Sequence, residues 1–344
     1  MRRFSHRPGQ ERINMPANPA VTHIAKTLVY TSPLLSCRFD PTGKYVFAGA
    51  EDFKVVRWEL ATGTKVELAG HDSWVRGLAF SANGENLVTG GNDGRLIWWA
   101  AGADMPVPIR TIQAHQGWIR AIAVSPDRRL LASCGNDHKV KLWSLADGSP
   151  VREFLGHERH VYNVAFHPDG KHLVSGDITA KFLHWEIDTG KQVRNFTIPT
   201  LSKYDPGFMA DYGGPFCLDF AADGNRLFAG GITNVSNAFA GVGNPIVSQI
   251  DWAEGKEVIG HLSKAGIQGT TWGLMPHPEG FLIGATGGQG GGHLFFWKLD
   301  QKDEFHSLNL GNTARDMSLH PDGLQIATAH FDKNLRLSLM APKA

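Results

Sequence analysis

Short apolar runs separated by polar turns follow one another along most of the chain. "VYNVAF" (161–166) and "HLVSGD" (172–177) are two such runs, and a turn that contains Gly170 joins them. Brief runs rich in Val, Ile, Leu and Phe and bounded by Gly, Asp and Pro are typical of β-strands. Nothing between them has the capping residues and periodicity of a helix. The pattern therefore predicts an all-β protein.

The turn between the first two strands of each unit recurs at nearly constant spacing. It has the form small residue or histidine, then Pro-Asp-Gly, and its seven copies are centred on Gly43, Gly84, Arg128, Gly170, Gly224, Gly280 and Gly323. Successive copies lie 41, 44, 42, 54, 56 and 43 residues apart. A third run then follows, which ends five times in tryptophan (Trp58, Trp99, Trp143, Trp185 and Trp297), and after it a more polar fourth run. Four-strand units of about 40–45 residues predict a seven-bladed β-propeller with four-stranded antiparallel blades.

The two ends of the chain complement each other. The seventh unit stops after its third strand, at "NLRLSLMAPKA", and a spare strand-like run, "VTHIAKTLVY" (21–30), stands at the front. We expect the N-terminal strand to complete the last blade, because closure removes two open sheet edges. The predicted organisation is a flexible segment 1–20 and a single propeller over 21–344, with blades at 34–70, 71–114, 115–156, 157–201, 202–260, 261–311 and 312–344 plus 21–31.

Histidines in three units are followed by polar and aromatic residues at fixed offsets. His71 precedes Thr89, Asp93 and Trp99 by 18, 22 and 28 residues, and His115 precedes Ser133, Asp137 and Trp143 by the same intervals. His157, Ser175 and Trp185 keep this register, with Thr179 in place of the aspartate. Together with the turns and the Gly-His openings, these residues resemble the WD-repeat β-propeller family over residues 32–344. The resemblance implies an Asp–His–Ser/Thr–Trp hydrogen-bond network inside the blade. Blades one and seven, with Ala48 and Ser338 at network positions, are expected to depend on packing instead.

The same residue types could also form a Ser/Thr–His–Asp nucleophile triad. An enzyme, however, does not need the set repeated at blade spacing, and a charge-assisted bond worth about 1.5–3 kcal/mol justifies a structural role. We therefore predict no catalytic residue. The histidines of blade four (His157, His160, His167, His172 and His184) do not have ligand spacing on one face, so no metal is predicted. The glycine-rich run 287–297 lacks the Gly-Lys-Ser/Thr ending of a phosphate loop, so no cofactor is predicted.

Composition narrows the classes of partner. The net charge of +1 provides neither a basic field for nucleic acid nor an acidic tail. The three cysteines, Cys37, Cys134 and Cys217, fit neither a disulfide framework nor a Cys-x-x-Cys metal pair, and we expect buried, unreactive thiols. No apolar run approaches the length of a membrane span. The expectation is a cytoplasmic protein that binds neither nucleic acid nor membrane.

A Trp-x-Arg pair follows the network histidine in "HDSWVRGLAF" (71–80) and "HQGWIRAIAV" (115–124). By the topology that the resemblance implies, these positions begin the innermost strand of each blade and line the rim of the central channel. Trp, Tyr and Arg are the residue types that dominate interface hot spots. The predicted partner-binding rim consists of Leu35, Trp74, Arg76, Trp118, Arg120, His160, Tyr162, Phe216, Trp272 and Arg315. Pro33, Gly214, Thr270 and Thr313 accompany it, and Glu51, Asn92, Asn136 and Phe331 are expected on the same face.

Blades five and six carry extra length at 200–214, 231–245 and 287–293, and we predict loops on the rim side there. The predicted function is a non-catalytic scaffold that binds protein or peptide partners, in particular acidic-hydrophobic segments, on the rim. The alternative is a small-ligand-binding or enzymatic propeller that uses the central channel beneath the loops of blades five and six.

Overall fold

Seven four-stranded antiparallel sheets surround a central channel in the computed structural model, which describes residues 16–81, 83–237 and 241–343. The predicted all-β, seven-bladed propeller is confirmed. Helical structure in these residues is limited to two 3-10 turns, Pro19–Val21 and Pro199–Leu201, and neither is long enough to cross a bilayer.

The strands of the first four blades run from the channel outward in chain order. Blade one contains β2 (Leu34–Phe39), β3 (Tyr45–Ala50), β4 (Val55–Glu59) and β5 (Lys65–Leu68). Blade two contains β6 (Val75–Phe80), β7 (Asn86–Gly91), β8 (Arg95–Ala100) and β9 (Pro108–Gln113). Blade three contains β10 (Ile119–Val124), β11 (Leu130–Gly135), β12 (Val140–Ser144) and β13 (Pro150–Phe154). Blade four contains β14 (Val161–Phe166), β15 (His172–Asp177), β16 (Lys181–Glu186) and β17 (Gln192–Thr197).

The last three blades include an extra hairpin and the chain closure. The hairpin β18 (Ser202–Asp205) and β19 (Ala210–Gly213) precedes blade five, which contains β20 (Cys217–Phe220), β21 (Arg226–Asn237), β22 (Val242–Asp251) and β23 (Lys256–His261). Blade six contains β24 (Thr270–His277), β25 (Phe281–Gly287), β26 (His293–Lys298) and β27 (His306–Asn309). Blade seven contains β28 (Ala314–Leu319), β29 (Gln325–His330), β30 (Asn334–Leu339) and, as its outermost strand, β1 (His23–Val29).

The N-terminal strand closes the ring, as predicted. β1 pairs antiparallel with β30, so that Val29 lies opposite Asn334 and His23 opposite Leu339. The backbone N–H of Asn18 donates to the Met340 carbonyl at 2.9 Å, which continues the contact beyond the strand. Of the segment 1–20 that the sequence predicts to be flexible, residues 1–15 lie outside the described residues.

The burial of each strand explains its composition. β3 lies second from the channel and is buried at every position except its first, because neighbouring blades cover both of its faces. β17 is outermost, and its side chains alternate between exposed and partly buried from residue 194 onward. The core lies between adjacent sheets, where the largest fully buried side chains include Trp58, Trp99, Trp185 and Trp297. This packing accounts for the tryptophan near the end of the third strand in five of the seven blades.

The histidine that opens the Pro-Asp-Gly turn connects neighbouring blades. In blades four, six and seven its Nε2 lies 2.8–3.0 Å from the carbonyl oxygen of the turn glycine in the next blade, in the pairs His167–Gly224, His277–Gly323 and His320–Gly43. The turn residues adopt positive φ, for example 68° at Gly170, which explains the glycine at this position. The sequence pattern contains these histidines, but it does not identify their partners.

Two of the three predicted loops are wrong, because they contain strands. Residues 202–213 form the β18–β19 hairpin, and β21 and β22 extend beyond the blade far enough for Thr233 to pair with Asn244. The extension is stabilised by a small apolar cluster in which Ile232 and Val235 pack against Tyr212. Residues 238–240, at the centre of the predicted loop 231–245, lie outside the described residues. Residues 288–292 do form a loop, between β25 and β26.

Candidate partner-binding rim

A β-bulge places one side chain from almost every inner strand at the mouth of the channel. In blade two, Val75 pairs with Gly91 and Gly77 pairs with Gly90, so Arg76 is the extra residue between them. The register shifts at the same point in five other blades, and the extra residues there are Leu35, Arg120, Tyr162, Trp272 and Arg315. Bulges re-aim side chains and are frequent beside functional sites. These six residues and Phe216 of blade five line the channel, and we call the seven together the mouth ring.

The mouth ring has a cationic side and an aromatic side. Blades seven, two and three provide Arg315, Arg76 and Arg120, and the buried Leu35 of blade one lies between the first two. Blades four, five and six provide Tyr162, Phe216 and Trp272, whose ring centroids are 5.5 Å apart in the first pair and 4.6 Å apart in the second. The ring therefore contains three guanidinium groups, three aromatic rings and one leucine.

Cation–π contacts join the two sides. The guanidinium carbon of Arg120 lies 4.7 Å from the Tyr162 ring centroid, and that of Arg315 lies 5.7 Å from the Trp272 centroid. Such contacts hold the flat guanidinium against the ring and leave its edge for hydrogen bonding.

Trp74, Trp118 and His160 lie outside the mouth ring, on the same face. Trp118 is 40% exposed, and the guanidinium carbon of Arg120 lies 4.8 Å from the centroid of its ring. His160 is exposed, and its Nδ1 lies 2.9 Å from the Asn136 carbonyl oxygen. Trp74 is half-buried beside Arg76. These three residues form the outer rim.

Turn residues between the second and third strands reach the same face. The backbone N–H of Asn136 donates to the Trp118 carbonyl at 3.0 Å, and that of Asn92 donates to the Trp74 carbonyl at 2.8 Å. The equivalent bonds in blades one and seven run from Glu51 to Pro33 and from Phe331 to Thr313. The structure therefore places these four turn residues beside the starts of the inner strands.

The three arginines of the mouth ring are only partly exposed. Each is partly buried, because its apolar stem follows the channel wall and its guanidinium stacks on an aromatic ring. Burial and the neighbouring charges of Arg120 and Arg315 lower the pKa of Arg76 to about 10. Burial also lowers the pKa of Arg120 and of Arg315.

The hydrogen-bond network is present in blade two and blade three. His115 Nδ1 lies 2.8 Å from Asp137, and its Nε2 lies 2.7 Å from the Ser133 hydroxyl, which also accepts the indole N–H of Trp143 at 2.8 Å. The equivalent distances in blade two are 3.0, 2.7 and 2.9 Å, among His71, Asp93, Thr89 and Trp99. Burial alone would raise the pKa of Asp137, but the bond to His115 holds it below its usual range.

Blade four completes its network with a residue that the fixed offsets in the sequence do not identify. The expectation that Thr179 replaces the aspartate is wrong, because His157 Nδ1 lies 2.9 Å from the carboxylate of Asp177, two residues earlier. The Thr179 hydroxyl donates to the same carboxylate at 2.6 Å. His157 Nε2 and the Trp185 indole meet at the Ser175 hydroxyl, at 2.7 and 2.9 Å.

Blades one and seven contain substitutes for the network histidine, in addition to packing. In blade seven His330 Nε2 lies 2.8 Å from the Thr328 hydroxyl, and its Nδ1 lies 2.9 Å from the Asn312 carbonyl oxygen. Burial and the charge of Arg336 lower the pKa of His330 to about 4. In blade one the Tyr30 hydroxyl donates to Asp52 at 2.9 Å.

Four segments, 23–59, 63–100, 106–144 and 148–182, match the family model described as WD domain, G-beta repeat. They cover the N-terminal strand, blades one to three and the first two strands of blade four. Over these four segments the β-propeller is built from WD repeats.

The WD-repeat propeller also resembles curated proteins over one or two blades. It is 34% identical over 74 residues to the nuclear distribution protein PAC1 of Arthroderma benhamiae. The aligned segment covers 20% of this chain and 16% of that protein. It is 44% identical over 48 residues to the PAC1 of Mycosarcoma maydis, and here the aligned segment covers 14% of this chain and 11% of that protein. The match thus spans less than a fifth of the length of these relatives.

Beneath the mouth ring, the propeller encloses a channel of about 820 Å³. Charged side chains that the sequence analysis does not predict line its wall. Burial raises the pKa of Asp219 and of Asp316 to about 6, and the charge of Arg38 opposes the rise in both. Asp316 accepts the backbone N–H of Cys37 at 2.9 Å and that of Met317 at 2.8 Å. The signal for these groups is a charged residue inside an otherwise apolar inner strand, as in "CLDF" and "LLSCRF".

Two of the three thiols of the propeller are shielded from solvent, and the third borders the channel. Cys37 and Cys134 have no exposed surface, and burial raises the pKa of both thiols. Cys217 is partly exposed to the channel, yet burial and the charge of Asp316 raise the pKa of its thiol as well. None of these thiols has the lowered pKa that characterises a nucleophilic cysteine.

The histidines of blade four lie in different places. His160 belongs to the outer rim, whereas His167 and His172 share the Asp169 carboxylate near the turn of the opposite face, at 3.1 and 2.7 Å. His184 packs on Trp252 with ring centroids 4.5 Å apart. Within the described residues there is no group of three or more His, Cys, Asp or Glu side chains that could hold a metal ion.

Proposed function

We propose that this WD-repeat propeller is a non-catalytic scaffold that binds a protein or peptide segment across the mouth ring and the outer rim. The observation that supports this most is the set of bulges, which turn three arginines and two aromatic residues toward one opening of the channel. Repeated bulges that present Arg, Tyr and Trp at one opening are best explained by the binding of a partner there.

The chemistry of the ring favours a segment with an acidic residue next to an apolar one. Arginine beside an aromatic ring can pair with a carboxylate, while its stem and the ring cover apolar surface. The exposed Trp118 provides a further apolar surface beside Arg120.

The Ser/Thr–His–Asp sets support a structural role rather than catalysis. The hydroxyl-bearing residues Thr89, Ser133 and Ser175 have no exposed surface, so a substrate cannot reach them. Each hydroxyl oxygen is already bonded to an indole N–H and an imidazole. The name of the relatives, nuclear distribution protein, does not refer to a catalysed reaction and agrees with a scaffold. The three free cysteines agree with the cytoplasm as compartment.

The rim variant Arg76→Gln, Arg120→Gln, Trp118→Ala tests the proposal. A partner is first identified with the unchanged chain, by affinity purification from the source cell and mass spectrometry. We expect the rim variant to lose capture of that partner by at least about tenfold, because it removes two charges and one anchor ring. The measurement is quantitative pull-down with the purified partner.

The matched control changes cations on the opposite face, Arg129→Gln and Lys171→Gln, which are both exposed. Circular dichroism and melting temperature check that both proteins fold. If the rim variant binds normally and the control variant does not, the partner uses the opposite face and the proposal is wrong.

A further inference from the structure

We propose that the cationic side of the mouth ring binds a phosphate monoester as its dianion, with the organic group of the ester lying against the aromatic side. The inference deepens the proposed function, because it assigns a ligand chemistry to the same ring. The phosphate monoester can be a free small molecule or a phosphorylated side chain of the bound segment. In an aryl ester, the phosphate matches the cationic side of the ring and the aryl group matches the aromatic side.

All three guanidinium groups have terminal N–H donors that no acceptor among the described residues uses. Arg120 Nε donates to the Asn136 side-chain oxygen at 2.8 Å. Among the residues that the structure describes, Arg76 and Arg315 have no hydrogen-bond acceptor; the Nε of each is buried, whereas their terminal N–H groups are not. These terminal N–H groups can donate to a ligand that has several acceptor oxygens.

The charge of the cationic side matches two negative charges better than one. In the described part of the chain, no carboxylate lies within ion-pair distance of Arg76, Arg120 or Arg315. Glu51 is the acidic residue whose charge acts on both Arg76 and Arg315. Three guanidinium groups and this one carboxylate leave two positive charges. A single carboxylate of a ligand neutralises one of them, whereas a phosphate monoester carries up to two charges and three acceptor oxygens.

The guanidinium groups are held in place before a ligand arrives. Arg120 lies between the rings of Trp118 and Tyr162, at 4.8 and 4.7 Å from their centroids. Arg315 lies 5.7 Å from the Trp272 centroid and 5.3 Å from that of Phe331. Stacking occupies the faces of the guanidinium and leaves the N–H edge, which is the geometry that binds phosphate oxygens. Binding therefore requires little ordering of these side chains.

The aromatic side completes the site. Tyr162, Phe216 and Trp272 form an unbroken aromatic wall opposite the arginines, with neighbouring centroids 5.5 and 4.6 Å apart. A planar aryl group can pack on this wall while its phosphate contacts the guanidinium groups. The repulsion from Arg120 and Arg315, which together with burial lowers the pKa of Arg76, is offset when a dianion binds.

The test compares phenyl phosphate with benzoate by isothermal titration calorimetry on the full chain at neutral pH. Both probes carry one aryl ring, but benzoate has one negative charge. We expect phenyl phosphate to bind at least about tenfold more tightly, and Arg76→Gln or Arg315→Gln to weaken it about tenfold, because each removes one charge-assisted contact. Arg129→Gln, on the opposite face, should leave binding unchanged. Arg315→Lys keeps the charge and should restore binding in part.

The pH dependence identifies the charge state that binds. A phosphate monoester takes up a proton at a pH of about 6, so phenyl phosphate should bind more weakly below that pH. Asp219 and Asp316, deeper in the channel, are neutralised in the same range, and this would strengthen the binding of either anion. Glu51, Arg38 and the exposed His160 are the other charged or titratable groups near the mouth. A loss seen with phenyl phosphate and not with benzoate therefore comes from the ligand.

The inference is overturned if phenyl phosphate binds no more tightly than benzoate, or if the Arg76→Gln and Arg315→Gln variants bind it as the unchanged chain does. Capture of the protein partner that still depends on the rim would then leave the proposed function intact. A short phosphotyrosine peptide distinguishes the two sources of the ester. Tighter binding than phenyl phosphate assigns the site to a phosphorylated segment, and equal binding assigns it to a free ester.

Discussion

Removal of residues 1–31 should leave a protein that aggregates or unfolds at temperatures where the full chain is folded. β1 pairs with β30 over six residue pairs, so the deletion exposes a whole strand edge of blade seven. It also removes the buried Leu28 and Tyr30 from the core between blades seven and one. We expect a loss on the order of 5 kcal/mol, comparable with the entire stability of a typical domain.

Melting followed by circular dichroism, together with size-exclusion chromatography, measures this effect. A deletion of residues 1–15 is the control, because it leaves β1, Leu28 and Tyr30 in place. If the chain without residues 1–31 melts like the full chain, β1 does not close the ring in the way described.

The second large effect concerns the buried network. Trp143→Phe should lower the free energy of unfolding by about 1–3 kcal/mol, because it leaves the Ser133 hydroxyl without its indole donor. His115→Ala should cost at least as much, since it removes the imidazole partner of both Asp137 and Ser133. Urea denaturation of each variant gives the change in free energy.

Blade one offers a matched control for the network. Trp58 occupies the same position as Trp143, but Ala48 replaces the hydroxyl there, so Trp58→Phe removes an indole N–H without leaving a hydroxyl unsatisfied. We expect the cost of Trp143→Phe to exceed that of Trp58→Phe by about 1 kcal/mol. Equal costs would mean that packing alone determines both. A His115→Ala variant that lost an activity with unchanged stability would instead support catalysis.

Local sequence patterns were sufficient for the blades and their order. Each strand run and each turn is encoded by a few consecutive residues, and the spare strand at the N-terminus is one such run. The network of blades two and three could also be predicted, because its members keep fixed offsets. In blade four this reasoning failed, because the carboxylate comes from a different position. Asp177, at the end of β15, contacts His157 in the way that a turn aspartate contacts the histidine in blades two and three.

The bulges and the hairpins depend on pairing between strands, which one strand's pattern does not reveal. The rim residues could be chosen from the sequence, but not the register shift that turns them toward the channel. A glycine opposite the bulge is the available signal. A Cβ at Gly135 would lie only 2.2 Å from the Trp118 carbonyl oxygen, so the bulge of blade three requires glycine there. The hairpin 202–213 was mistaken for a loop because its Pro, Gly and Asp content is typical of turns.

The most direct test of the proposed rim is site-specific photo-crosslinking to the identified partner. A benzophenone amino acid is placed at Trp118, which is exposed on the outer rim, and in a second protein at Lys171, which is exposed on the opposite face. Binding across the mouth of the channel predicts a covalent adduct from position 118 and none from position 171. An adduct from position 171 alone would contradict it.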